Sequence, residues 1–184
     1  TLENLIIEDN HGSSGGGIWI SPSRGSYVLK NSIVRNNTGT AIWGNGMGEA
    51  SFSIENTLIH DNEGGAYGYG NFNEGNGLSV INCTIVNNNS NSANGGAFAL
   101  NNGDLSLVNS IIYNNSPTDI TTVGSFGTIS VNHSLVTNDE NSVVVFYPSD
   151  AIQLDWSDNI YGEDPLFCDV ENENFTLYDN SPAV

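Results

Sequence analysis

One seven-residue pattern returns six times along this chain, and its regular spacing constrains the fold more than any other feature. The pattern has a polar lead residue, a small or hydroxyl residue, two apolar residues, a variable residue and two polar residues, as in residues 31–37. Successive lead residues are 24 to 27 positions apart. A repeat of this length predicts a solenoid, in which each repeat forms one coil that stacks on its neighbours. The lead residues are Asn4, Asn31, Asn56, Cys83, Asn109 and His133.

Each repeat divides into three short apolar stretches that are separated by turns rich in glycine and asparagine. The second stretch follows a glycine, as in residues 15–20 and 95–100, and the third includes residues 50–54 and 104–108. No stretch has the 3.6-residue apolar period of a helix. Three strands and three turns in about 25 residues predict an all-β, right-handed parallel β-helix of about six to seven coils. Because asparagine tolerates the left-handed conformation, we expect the lead residues to form an internal hydrogen-bonded ladder, with Cys83 and His133 as substitutions within it.

The pattern fails after Asp139, where prolines and aromatic residues become frequent. We therefore predict one domain, in which residues 1–138 form the β-helix coils and residues 139–184 form the last coil and an irregular C-terminal cap. An exposed solenoid end has unpaired strand edges, which is the physical reason for a cap. The abrupt start and end of the chain suggest a piece of a longer protein.

The repeated Ile-Val-x-Asn and Gly-Gly-Ala motifs resemble those of the right-handed parallel β-helix (pectate-lyase-like) superfamily. They are similar in particular to the Asn- and Gly-rich repeats of bacterial surface proteins and autotransporter passengers. The sequences at 164–167, 174–177 and 181–183 resemble the closing segment of secreted bacterial β-helix proteins. This resemblance covers nearly the whole chain and implies an extracellular or cell-surface location in a bacterium.

The charge is strongly one-sided, with 21 acidic residues against three basic ones and a formal net charge of −18. Such a surface repels phosphate backbones, so we expect neither nucleic-acid binding nor association with anionic membranes. No apolar run is long enough for membrane insertion. The basic residues Arg24, Lys30 and Arg35 all lie near the N-terminus. We expect this polarity to favour head-to-tail self-association, which gives filaments when the contact does not close.

Catalysis was weighed against a structural role. The resemblance implies polysaccharide lysis, which needs a basic residue, here Arg24, Lys30 or Arg35, and a cation beside the substrate carboxylate. Glycoside hydrolysis needs two carboxylates about 5–9 Å apart, and Glu55, Asp61 and Glu63 are the nearest candidates. The repeats are uniform and no coil collects acids and bases together. We therefore expect a structural or adhesive module with no catalytic residues.

The alternative is a carbohydrate-binding module. Trp19 and Trp43 occupy equivalent positions on adjacent coils, so outward-facing indoles would stack about 5 Å apart. Arg24 lies near enough in sequence to contact sugar hydroxyl or carboxylate groups. The competing interpretation, which the sequence favours, packs both indoles under a turn or against another chain.

No cofactor is expected, and calcium is the one metal considered. Four acids in the last third of the chain offer oxygen ligands, but their spacing does not match an EF-hand loop, and a solvated turn is favoured. These acids are Asp164, Asp169, Glu171 and Glu173. The three histidines lie on different coils without the paired spacing of a zinc site.

Two further expectations concern apolar pairs and thiols. Every repeat has two consecutive apolar residues, such as Ile33 and Val34. Strict alternation would turn one of each pair outward and create an apolar stripe, whereas a bend would turn both inward, and we expect the bend. Cys83 and Cys168 are expected to be free thiols unless the end of the chain folds back along the outside.

Overall fold

The computed structural model describes residues 1–21, 23–46, 48–90, 95–146 and 151–184. This part of the chain contains three parallel sheets, one antiparallel hairpin and two short 3₁₀ helices. Sheet A contains β1 (Leu2–Glu3), β4 (Arg24–Lys30), β7 (Glu49–Glu55), β10 (Gly77–Ile81), β13 (Asp104–Val108), β16 (Gly127–Asn132) and β19 (Ile152–Ser157). Sheet B contains β2 (Ile6–Glu8), β5 (Ile33–Arg35), β8 (Leu58–His60), β11 (Thr84–Val86), β14 (Ile111–Tyr113), β17 (Leu135–Val136) and β20 (Ile160–Tyr161). Sheet C contains β3 (Ile18–Ile20), β6 (Ile42–Gly44), β9 (Tyr67–Asn71), β12 (Phe98–Asn102), β15 (Ile120–Thr122) and β18 (Val144–Val145).

Each coil passes through sheets A, B and C in turn, and every strand of these three sheets pairs in parallel with its equivalents in the adjacent coils. Sheets A and B have seven strands each and sheet C has six. The predicted parallel β-helix of six to seven coils is therefore confirmed. None of the described helices is long and apolar enough to cross a membrane.

Like residues stack on like in the core, as period-two alternation in aligned strands requires. In sheet B the column Val34, Ile59, Ile85 and Ile112 is fully buried, with registers that pair each residue with the next. This column removes large aliphatic side chains from water in four successive coils, and such burial is the main stabilising contribution in a fold of this kind.

The bend between sheets A and B has an exposed asparagine ladder. Its residues have positive φ angles between 47° and 57°, the left-handed conformation that asparagine tolerates. Asn56, Asn82 and Asn109 each donate through Nδ2 to the Oδ1 atom of the asparagine one coil earlier, at 2.6–3.3 Å. The ladder lies outside the core, so the expected internal position is corrected. Its members are Asn4, Asn31, Asn56, Asn82, Asn109 and His133.

Cys83 lies one residue beyond that ladder, in a buried row of hydroxyl residues. The row includes Ser32, Thr57, Ser110 and Ser134, all buried. The Oγ atom of Ser110 accepts from the Cys83 N–H at 3.1 Å and donates to the Val108 carbonyl at 2.9 Å. The Cys83 thiol replaces one such hydroxyl and donates to the Ile81 carbonyl at 3.2 Å. The fourth repeat was misaligned because its apolar pair is shifted by one residue relative to the other repeats.

A second asparagine ladder lies at the bend between sheets B and C, and it is buried except for its first member, Asn10. In each step, an Nδ2 group donates to the Oδ1 atom of the asparagine one coil later, at 2.8–3.0 Å. The same Oδ1 atom also accepts from the backbone N–H of the earlier asparagine. The ladder therefore satisfies polar groups that would otherwise be buried without partners. It consists of Asn10, Asn37, Asn62, Asn88 and Asn115.

Residues 162–184, here called the C-terminal segment, fold back along the outer face of sheet B. Their antiparallel hairpin joins β21 (Phe167–Asp169) to β22 (Asn174–Leu177). The first apolar residue of most repeats lies on this outer face, so the expectation that both residues turn inward was wrong. Ile111 and Leu135 are buried although they lie outside the core cluster, whereas Ile6 in the first coil is 62% exposed. The segment thus covers part of an apolar stripe, and both cysteines are free.

Among the described residues, apolar side chains at the end of the last coil are exposed to solvent. Within residues 139–184, strands β18, β19 and β20 complete the solenoid, and the C-terminal segment lies along its side. Leu154 pairs with the buried Ile129 and continues a core column, yet it is 44% exposed. Residues 162–184 therefore lie along the side of the solenoid, and a capping role for residues 139–184 stays a prediction.

Candidate functional site

The outer face of sheet C has a stacked pair of tryptophans. Strands β3 and β6 pair in register, with Trp19 opposite Trp43. Their neighbours Ile18 and Ile42 are buried in the core, so alternation turns both indoles outward. The ring centroids are 6.1 Å apart with 30° between the planes, and Trp19 is 54% exposed. The pair therefore forms an aromatic surface on a rigid sheet.

Glycines beside the indoles allow this arrangement. Gly15 has a φ of 61°, and a Cβ atom there would lie 2.9 Å from the Cβ of Trp43. Gly68 occupies the Trp43 position in the next coil, and a Cβ atom there would lie 3.0 Å from Cε3 of the Trp43 ring. The coil after the pair thus leaves room for the indole, and the stack ends at Gly68.

A groove of about 480 Å³ adjoins Trp43. Polar side chains line it, and its position between the turns that follow sheet B makes it open to solvent. Small-molecule sites typically combine an aromatic wall with a few polar groups that fix orientation. The groove thus places the Trp43 ring beside imidazole, hydroxyl and carboxylate side chains. The lining includes His11, Thr38, Thr40, Glu63 and Ser90.

The three basic residues lie elsewhere and each forms an ion pair. Arg24 begins β4 on sheet A, not sheet C, and its Nε atom lies 3.0 Å from a Glu49 oxygen. Lys30 pairs with Glu3 at 3.3 Å. Arg35 pairs with Glu8 at 2.6 Å and also with Glu173. The positive charge of the first coils is thus largely matched within the chain.

The carboxylates considered for hydrolysis lie at two different bends. Glu55 ends β7 at the bend between sheets A and B, where it accepts from the Ser53 hydroxyl at 2.7 Å. Asp61 and Glu63 follow β8 at the bend between sheets B and C. Strand β8 therefore lies between Glu55 and the other two.

Three of the four acids considered for calcium have separate partners. Asp164 accepts from the Leu166 N–H, and Asp169 caps the 3₁₀ helix Val170–Asn172. Glu171 is exposed, and Glu173 pairs with Arg35. Within the described ranges, one other group of metal-ligating side chains converges: His60, Asp61 and Glu173, each offering an atom within 4.8 Å of the others. Sequence reasoning missed it because Glu173 reaches β8 only when the chain folds back.

Comparison with known proteins addresses the fold. A family model described as "Right handed beta helix region" matches residues 1–161. No curated protein and no solved structure matches the chain significantly. The matched region spans every coil described above, and the stacked parallel coils agree with a β-helix. The chain therefore belongs to the right-handed β-helix family.

Proposed function

We propose that this chain is an extracellular, non-catalytic adhesive module that binds glycans through Trp19 and Trp43. The observation that carries the proposal is the in-register, outward-facing indole pair with its adjoining groove. Two stacked rings on adjacent coils form a platform about as long as one or two sugar rings. The β-helix holds both rings in place, so little side-chain entropy is lost when a ligand binds.

The charge of the chain suggests the class of glycan. A formal net charge of −18 repels polyuronates and other acidic polysaccharides. Neutral or amino-substituted glycans avoid this repulsion. The groove beside Trp43 offers imidazole, hydroxyl and carboxylate groups for hydrogen bonds to sugar hydroxyl and amino groups. We therefore propose neutral or cationic cell-surface glycans as ligands.

The test is glycan-array screening of the chain, followed by calorimetry with the best neutral ligand. Trp19→Ala and Trp43→Ala are each expected to weaken binding by about fivefold or more, because each removes one aromatic surface. Trp156→Phe is the matched control, since Trp156 packs against the core and not on sheet C. Unchanged affinity in both alanine variants, or no glycan binding by the wild-type chain, would refute the proposal.

A second candidate, self-association along the solenoid axis, is favoured by the open last coil. Leu154 and Phe146 are each 44% exposed there, and Leu2 in the first coil is 40% exposed. Apolar end contact would drive such assembly more than charge, because the basic residues are already paired within the chain. Light scattering at rising concentration tests it. Assembly that Leu154→Glu abolishes supports end-to-end contact, and a monomer at every concentration contradicts it.

A further inference from the structure

An imidazole and two carboxylates meet where the C-terminal segment crosses β8. His60 is the last residue of β8, and Asp61 follows it with a φ of 53°. Glu173 ends the 3₁₀ helix Val170–Asn172 with a φ of 58°. The His60 Nδ1 atom lies 2.6 Å from an Asp61 oxygen, and one potential ligand atom from each residue lies within 4.8 Å of the others.

Neighbouring side chains hold these three groups in position. The Phe175 ring packs on the His60 ring, with centroids 4.8 Å apart. Arg35 binds one Glu173 oxygen, and Asn36 Nδ2 donates to the other at 3.3 Å. The His60 side chain is 1% exposed, whereas those of Asp61 and Glu173 are 37% and 36% exposed. A cation bound there would have a fixed protein wall on one side and solvent on the other.

We propose that His60, Asp61 and Glu173 form a binding site for a divalent transition metal of the Zn²⁺ type. One imidazole nitrogen and two carboxylate oxygens are ligands that suit zinc, whereas calcium prefers oxygen ligands alone. Zinc bonds of about 2.1 Å place tetrahedral ligand atoms about 3.4 Å apart. The more distant ligand atoms, at most 4.8 Å apart, therefore need to approach by up to about 1.4 Å, and His60 Nδ1 and the Asp61 oxygen at 2.6 Å need to separate by about 0.8 Å. Side-chain rotation of the two partly exposed carboxylates can provide both shifts.

The local charge balance favours a dication despite the nearby guanidinium. Glu8, Asp61 and Glu173 contribute three negative charges against the one positive charge of Arg35. Each carboxylate oxygen has two acceptor sites, so Glu173 can keep its hydrogen bonds while one lone pair binds metal. Arg35 and Asn36 would then orient Glu173 from the outer shell.

The site joins two parts of the chain that are distant in sequence. His60 and Asp61 belong to the solenoid, and Glu173 belongs to the C-terminal segment. A bound metal would therefore fasten the segment over the apolar stripe on sheet B. Metal binding and the docking of the segment are thermodynamically linked, so Zn²⁺ should raise the melting temperature of the chain.

The test is calorimetric titration of the EDTA-treated, dialysed full chain with ZnCl₂, together with thermal melts with and without Zn²⁺. We expect one Zn²⁺ per chain. Glu173→Gln and Asp61→Asn should each weaken binding at least about tenfold and reduce the Zn²⁺-dependent rise in melting temperature. Asparagine also tolerates the left-handed conformation of residue 61, so that variant should fold.

Two controls separate this site from unspecific binding. Glu171→Gln makes the same charge change on an exposed side chain of the same 3₁₀ helix. His133→Gln alters the exposed pair of His133 and Asp158, which are 3.6 Å apart. Both controls should bind Zn²⁺ like the wild type. The absence of saturable Zn²⁺ binding by the wild type, unchanged affinity in Glu173→Gln and Asp61→Asn, or loss of binding in His133→Gln would each overturn the proposal.

Discussion

The buried carboxyl group of Asp119 makes a quantitative prediction about pH and stability. Asp119 immediately precedes β15, and its side chain accepts from Asn115 Nδ2 at the end of the buried asparagine ladder, at 3.3 Å. Burial raises the pKa of Asp119 from 3.8 to about 6, and hydrogen bonds from Asn115, Thr137 and Asn138 only partly oppose this. The ionised carboxylate therefore destabilises the folded chain by about 3 kcal/mol.

The sign follows from proton binding in the two states. Between pH 4 and pH 6 the folded chain binds more protons at Asp119 than the unfolded chain does, so this group lowers the free energy of unfolding as pH rises. Asp119→Asn keeps the size of the side chain and its acceptor oxygen but does not titrate. The stability difference, variant minus wild type, should therefore increase by about 2.4 kcal/mol between pH 4 and pH 7.5.

The assay is urea unfolding, followed by circular dichroism, at half-unit pH steps with constant ionic strength. Asp179→Asn, which makes the same charge change on an exposed side chain, is the control for net charge. A difference for Asp119→Asn that stays constant within about 0.5 kcal/mol over this range would refute the reasoning. A difference that falls with pH would show that the folded chain stabilises the carboxylate.

Three further predictions concern the ladders and the C-terminal segment. Asn62→Ala should lower the free energy of unfolding by about 3 kcal/mol, because it leaves buried backbone carbonyls without a hydrogen-bond donor. Asn56→Gly in the exposed ladder should lower it by about 1 kcal/mol or less, and denaturant titration of both variants measures the difference. Cys83→Ser should change the free energy of unfolding by no more than about 1 kcal/mol, because serine and threonine fill the equivalent positions in other coils. Burial raises the pKa of the Cys83 thiol to about 11, so only Cys168 should react with a thiol reagent in the folded chain. Phe175→Ala should cost about 3 kcal/mol and increase binding of an apolar dye, because it loosens the cover over sheet B.

The coils could be predicted from the sequence because every repeat encodes the same local choices. Asparagine at a left-handed bend, an apolar residue at each inward position and glycine in the turns recur at a fixed period. Parallel stacking then places each residue on its equivalent, as Val34, Ile59 and Ile85 are placed. The sequence alignment of the fourth repeat was wrong by one residue, because its apolar pair lies one position later relative to the asparagine than in the other repeats. In the structure Asn82, and not Cys83, adopts the left-handed conformation at the bend.

The positions of the buried asparagine ladder could also be predicted from the sequence, because most of its members are the final asparagine of a repeat. Both asparagine positions look alike in a linear pattern, and only the direction of each side chain separates the exposed ladder from the buried one. Asn37 and Asn62 are almost fully inaccessible, whereas Asn56 has its side-chain hydrogen bonds on the exposed side of the bend. Periodicity gives the position of a residue in a coil but not the side of the backbone on which a bend residue lies.

The fold-back of the C-terminal segment could not be predicted from the repeats, because it depends on contacts between residues more than a hundred positions apart. Arg35 meets Glu173, and His60 meets Phe175, through a segment that lacks the repeat pattern. The physical requirement was nevertheless present in the sequence. Strict alternation on sheet B turns one apolar residue of most coils outward, and a stripe of this kind needs a cover.

In a solenoid, a residue type that repeats at the same position in every coil is explained by the fold. Binding or catalytic residues are therefore best sought at positions where one coil has a different residue type from its neighbours. The position of His60 on sheet B is held by Arg35, Val86 and Tyr113 in other coils. The position of Trp43 is held by Gly68 in the next coil. Neither departure improves the stacking of like residues on like. An imidazole beside two carboxylates, or an outward-facing indole pair, contributes little to the packing of a coil. The two sites proposed here lie at such departures, and this is the physical reason to test Trp43 and His60 before any ladder residue.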